Sequence, residues 1–186
     1  MKEYHVLTLW EPWATLLVHG IKKIETRPNK TNWTIDETSP ETGKGTYLIH
    51  SAQKWTRKQA ELCMTEPFSS ALESIGISWK LAKSLLPIFP FGHIIGAIDI
   101  VECSEIIVVP DYYEENENGY FYETCSNGVY DIVTIQQPEL SFGDYREGRY
   151  AWITQNPRVL KTPIPYKGGQ GYYQKFKGDV NQLIFK

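Results

Sequence analysis

The stretch EPWATLLVHGIKKIETR, residues 11–27, changes its hydrophobic period halfway along. Trp13, Leu16 and Leu17 recur at i, i+3 and i+4, the stripe of an amphipathic helix. Pro12 suits the first turn, where its missing N–H would be unpaired anyway, and Gly20 supplies the stop. Past Gly20 the period falls to two, so that Ile24 and Thr26 face one way while Lys23, Glu25 and Arg27 face the other, as on a strand. A helix of about two turns is marginal alone, because most helical stability comes from packing an apolar face. It must lie on a sheet, and the turn at Gly20 delivers Lys22, Glu25 and Arg27 beside the place where it packs.

Strand signals dominate elsewhere. HVLTL (5–9) alternates, GTYLIHS opens a strong β-favouring run within 45–55, and residues 89–103 read as one long apolar strand whose Gly92 and Gly96 signal close backbone approach. RYAWITQNPRVL (149–160) returns to strand pattern before a Pro-rich turn. Residues 56–64 and 69–86 read as helical, interrupted near Glu66-Pro67, and residues 28–45 as a loop. Strands outnumber helices without alternating strictly with them, which favours an α+β mixed β-barrel over a doubly wound sheet. The length of 186 residues suits one domain spanning 1–186 with an insertion.

The insertion shows in the charge. The net charge is -3, but residues 1–98 carry +2, residues 99–147 carry -11 and residues 148–186 carry +6. An acidic lobe at about 104–141, with a hairpin signal at Asn127-Gly128, therefore interrupts a chain whose ends can present a basic face. No run of about 18 apolar residues exists, and the N-terminus lacks the apolar stretch of a signal peptide, so a cytoplasmic protein with no membrane partner is expected. Cys63, Cys103 and Cys125 have no CxxC spacing, and His5, His19 and His93 no ligand spacing, so neither a metal nor a cofactor is expected.

Four ordered motifs, LWEPWATLLVHGIKKIETR, GTYLIHSAQKW, GHIIGAIDIVEC and GRYAWITQNPRVLKTPIPYKGGQGYY, resemble those of the activating signal cointegrator homology (ASCH) domain. Pro12-Trp13-Ala14, Gly20, Lys22, Glu25, Arg27, Ile49-His50, Gly92 and Gly96 occupy the motif positions. The resemblance covers residues 4–102 and 142–175 and leaves the acidic segment unmatched. It implies a PUA-like mixed β-barrel with flanking helices, a cleft where Lys, Glu and Arg converge, and binding of RNA or DNA. One bacterial branch of the family hydrolyses acetylcytidine with a Lys, a Thr and a Glu, and another is linked to RNA cleavage. Glu25 stands where the amidohydrolase branch has its Thr, and Thr26 points to the opposite face of the strand. The expected function is therefore nucleic-acid binding, RNA ahead of DNA, with a metal-independent hydrolase of modified nucleosides or a ribonuclease as the alternative. In that alternative Lys22 and Glu25 carry the chemistry.

Candidate binding residues follow from chemistry. Lys22 and Arg27 suit phosphate, and Glu25 suits an amino group on a base edge. Trp13 is either a stacking platform or the first core residue of the helix. The helix start at Pro12 offers N–H groups to phosphate unless Glu11 caps them. His50 ends an apolar strand, as a structural histidine or at a cleft mouth beside Lys54. Lys30, Trp33 and Trp55 interleave cations and aromatics. Lys167 to Tyr172 forms a Gly-rich cationic loop that lacks the P-loop pattern. A protein partner docking on the acidic insertion is the remaining expectation.

Overall fold

Beyond Gly20 the left-handed backbone (φ 74°) that the sequence asks of a helix stop is present, and the short helix before it is buried on every residue from Ala14 to Val18. The computed structural model describes residues 4–29, 45–78, 89–112, 118–126, 129–169 and 174–186. In chain order the elements are β1 (His5–Leu9), α1 (Trp13–Val18), β2 (Ile24–Arg27), β3 (Gly45–Ser51), α2 (Arg57–Leu62) and α3 (Phe68–Ser74). They continue with β4 (His93–Val109), β5 (Gly119–Ser126), β6 (Val129–Thr134), β7 (Tyr150–Pro165) and β8 (Gln174–Lys175). The hydrogen-bonded strand order is β2-β7-β4-β3-β1-β8, with β5 pairing β4 and β6 pairing β5. β1 runs parallel to β3, whereas β2 with β7 and β4 with β5 are antiparallel, so the sheet is mixed and the class is α+β.

The chain divides into two compact units, residues 1–22, 46–99 and 155–186 in the first and 23–45 and 100–154 in the second. In the first, Val6, Leu48, Ile94, Ala97 and Leu160 form a buried cluster, with Tyr166, Phe176 and Phe185 packed against it. Gly96 lies at a close approach of backbone to backbone. A Cβ there would overlap the Arg158 carbonyl oxygen and sit 2.9 Å from the Val18 side chain. Helix α2 opens on a Thr56 N-cap, since Gln59 N donates to Thr56 Oγ1 (3.4 Å) and the Thr56 hydroxyl donates to Gln59 Oε1 (2.8 Å). Gln59 Nε2 then donates to the Glu11 carbonyl (2.7 Å), tying α2 to the turn before α1.

In the second unit the core is Ile24, Ile106, Ile135, Tyr145 and Ala151. Glu139 fastens the start of β2. Its carboxylate accepts from Lys23 N (2.8 Å), Ile24 N (3.1 Å) and the Tyr145 hydroxyl (3.0 Å). The alternating pattern of β2 does not become an inside and an outside, because Ile24, Glu25 and Thr26 are all buried. Thr26 is covered because its Oγ1 accepts from Asp144 N (3.0 Å).

Three boundaries differ from the sequence reading. The long strand starts at His93 rather than Phe89, because Gly92 turns with φ 72°, and it runs on to Val109. Helix α3 stops at Ser74, where Ile77 N bonds back to Leu72 O (2.9 Å) through the left-handed Gly76; residues 79–88 lie outside the described residues. The last long strand passes through the Pro-rich segment to Pro165 instead of turning there. The hairpin expectation matches the register Ser126↔Val129, although Asn127 and Gly128 themselves are not among the described residues. Among the described residues no helix is long and apolar enough to cross a membrane, and no group of three or more His, Cys, Asp or Glu is arranged to hold a metal.

Two outcomes test this packing. Gly96→Ala places a methyl against backbone, and overpacking of this kind costs about 1–3 kcal/mol, read as a lower urea midpoint at unchanged slope. Glu11 is fully buried, and burial pushes its carboxyl up to about 7 against the hydrogen bonds from Ser51 and Thr15. Its folded value lies above the unfolded one, so its stabilising contribution is complete below pH 4.5 and is lost as pH rises through 7. Relative to Glu11→Gln, the wild type is therefore expected to lose on the order of 3 kcal/mol across that window in denaturation at a series of pH values.

Candidate nucleic-acid interface

In strand β1 Val6, Leu7 and Leu9 are buried and Thr8 is partly exposed. Its parallel register with β3 sets Thr8 directly beside His50. The imidazole bridges two elements: Nδ1 lies 3.2 Å from Thr8 Oγ1 and Nε2 lies 3.1 Å from the Tyr166 carbonyl. A carbonyl only accepts, so Nε2 carries a proton, and in the neutral ring that burial favours, Nδ1 accepts from the Thr8 hydroxyl. Burial holds His50 below the ordinary histidine value, opposed by the bond to Tyr166 and helped by the nearby His93. His50 is thus a neutral post, with its ring edge-to-face on Tyr166 at 5.8 Å.

Around this post lies a cleft of about 690 Å³, wholly within the first unit. Gln53 and Lys54 leave the end of β3 along one part of its lining, and Tyr166, Lys167, Gly168 and Gly169 follow β7 along another. Tyr166 N donates to the Gly92 carbonyl (2.9 Å) and fixes the start of this strap. Gly168 then passes so close over His50 that a Cβ would overlap Nδ1 and Cε1 of the ring, so only glycine fits there. Lys54 Nζ sits 4.8 Å above the ring of Trp10, a cation–π contact on an indole that is 45% exposed. Two ammonium groups, an exposed aromatic face and a backbone strap with glycines form a set that can take an anionic, partly planar ligand.

The structure thus brings His50, Lys54 and Lys167 together. It adds Thr8, Gln53 and Tyr166 to the lining and Trp10 against Lys54, which sequence reasoning missed. The missing signal was available for Thr8 alone, as the outward residue of an alternating strand. Trp10, Gln53 and Tyr166 depend on pairings between distant segments.

The other expected residues are placed differently. Trp13 is half-buried, edge-to-face on Phe68 at 6.0 Å, and Pro12 is buried. The helix start does not offer its first donors to a ligand, because Thr15 N donates to Glu11 Oε2 at 3.1 Å and Ala14 N to Trp10 O at 3.1 Å. Lys22 closes the first unit with 1% of its surface exposed, and its N–H donates to Leu16 O at 3.2 Å. Glu25 and Arg27 belong to the second unit, where they form an ion pair (3.0 Å) and the guanidinium lies 5.8 Å from the Trp152 ring centre. Trp55 packs between Phe89 and Phe91, at 5.6 and 5.4 Å, as part of an aromatic cluster. Cys63 is an inert thiol, since burial and then the Glu11 charge push it up to about 12. Lys30, Trp33 and Tyr172 lie outside the described residues.

The ASCH domain family model matches residues 7–163, most of the chain, and the chain belongs to the ASCH domain family. ASCH domains are of the PUA-like, nucleic-acid-binding type.

The tautomer argued for His50 has a direct readout. In ¹H–¹⁵N spectra at pH 7 its ring is expected in the Nε2–H form, titrating below the ordinary histidine value. Gly168→Ala, which forces the strap off the ring, is expected to move that titration back toward the ordinary value.

Proposed function

We propose that the protein binds single-stranded nucleic acid, RNA ahead of DNA, through the cleft beside His50. The observation that carries this reading is the convergence of Lys54 and Lys167 on one glycine-strapped cleft, with the exposed Trp10 against Lys54, in a chain of net negative charge. Lys54 and Lys167 meet phosphates, the Gly168 and Gly169 backbone closes over the sugar–phosphate chain, and Trp10 gives a base a surface to stack on. His50, neutral and held at both nitrogens, keeps the wall rigid. In the same reading the mixed sheet closes as a PUA-like barrel. The Glu25–Arg27 ion pair favours binding over hydrolysis, because it occupies the carboxylate that acid–base chemistry would need.

Fluorescence anisotropy with labelled single-stranded RNA and DNA of one sequence, at about 50 and 200 mM salt, tests the proposal, because neutralising phosphates makes affinity fall steeply with salt. Lys54→Ala and Lys167→Ala are each expected to lower the salt slope by about one. Trp10→Ala is expected to cost about 1–3 kcal/mol of binding, as loss of one stacked base does. No affinity for either strand, or affinity indifferent to salt, overturns it.

A further inference from the structure

Strand β6 is exposed on both faces. Val129, Tyr130 and Ile132 are 68%, 76% and 60% exposed, and among the described residues β6 pairs only with β5. Three large apolar side chains in a row at an edge are what folded proteins ordinarily blunt, since an unpaired edge is a template for another strand.

The register shows which backbone groups are on offer. Ile135 N donates to Tyr120 O (2.8 Å), and the β5–β6 pairing continues as Phe121↔Thr134, Tyr122↔Val133 and onward. In an antiparallel pair hydrogen-bonded and non-hydrogen-bonded positions alternate, so Val129, Asp131 and Val133 spend their N–H and C=O groups on β5. Tyr130, Ile132 and Thr134 turn theirs outward, on the residues that also carry the exposed Tyr and Ile. One of these outward donors is covered: Ile132 N–H bonds to the Asp131 carboxylate at 2.8 Å.

Charge selects the occupant. Residues 100–138 hold eight Asp or Glu and no Lys, Arg or His. Glu123 stands opposite Ile132 in register and is exposed, as is Asp131. A second β6 brought to this edge would set like charges against each other, whereas a basic strand would pair with them. A cation that draws the Asp131 carboxylate away also uncovers the Ile132 N–H for the incoming backbone.

We propose that the outer edge of β6 docks an extended, Lys/Arg-rich segment of a partner protein, which adds a strand beside Tyr130, Ile132 and Thr134. Main-chain bonds supply the affinity and the alternating side chains the selectivity. The surface lies in the second unit and does not depend on the nucleic-acid reading, which concerns the first.

The test uses the full chain and a fluorescein-labelled peptide, Lys-Val-Lys-Thr-Lys-Val-Lys, in anisotropy. Binding is expected to weaken with salt and to be absent for the peptide with Glu in place of every Lys. Two further peptides carry N-methyl groups on one or the other alternate set of residues, each blocking one peptide edge; one is expected to lose binding and the other to keep it. Ile132→Lys adds a repelling charge at an exposed position, and Ile132→Pro removes a donor that β5 does not use. Each is expected to weaken the peptide by about tenfold or more, and Ile132→Lys serves alone should the proline variant not fold. Equal binding by both N-methylated peptides, equal binding by the Glu peptide, or indifference to Ile132→Lys overturns the proposal. So does a concentration-dependent dimer in sedimentation that Ile132→Lys dissolves, because the edge would then belong to a second copy.

Discussion

The parallel pairing of β1 with β3 is the constraint from which the first unit follows. Parallel neighbours need a crossover, and here the crossover carries α1 and β2 before the chain returns. The register of that pair puts a hydroxyl against an imidazole, and the hydroxyl satisfies the nitrogen that carries no proton. The other nitrogen then reaches the carbonyl of Tyr166, and the strap that begins there has glycine where it crosses the ring. A shift of one residue would turn Thr8 to the other face and leave a buried histidine with one nitrogen unpaired.

Polar side chains recur as fasteners throughout, each a place where one side chain satisfies backbone groups that the short elements leave over. Glu11 serves the first turn of α1, Gln59 reaches back to the Glu11 carbonyl, and Glu139 takes both N–H groups at the start of β2. A six-residue helix and a four-residue strand have few internal hydrogen bonds, so side chains from distant segments complete them.

Much of this was legible in the sequence where the signal is local. The helix stop at Gly20, the strands at 5–9 and 45–51, and the close approach at Gly96 are each a period, a glycine or a run of β-branched residues, and they appear where those signals put them. Strand ends were not legible, because the boundary at His93 is set by a left-handed glycine and the continuation past Leu160 by pairing partners far along the chain. Of the candidate site, the cationic loop and His50 could be named. Their meeting with Trp10 and Gln53 could not, since no short stretch encodes a contact between the first strand and a segment more than a hundred residues later. The burial of Glu25 was not legible, because alternation says nothing about whether a strand's second face is also covered.

Glu139 gives the acidic segment a second character. Its carboxylate, together with Ile106 and Ile135 in the core of the second unit, makes part of that segment the mortar of β2 and β7 rather than an appendage. The lobe is therefore not severable at the points where its composition changes. A cut that follows the charge boundary would carry off the anchor of the very strand that bears Glu25 and Arg27, while one confined to the tip of the hairpin would leave that anchor in place. Composition marks where a segment differs in solvent, and hydrogen bonds mark where it has become part of the frame.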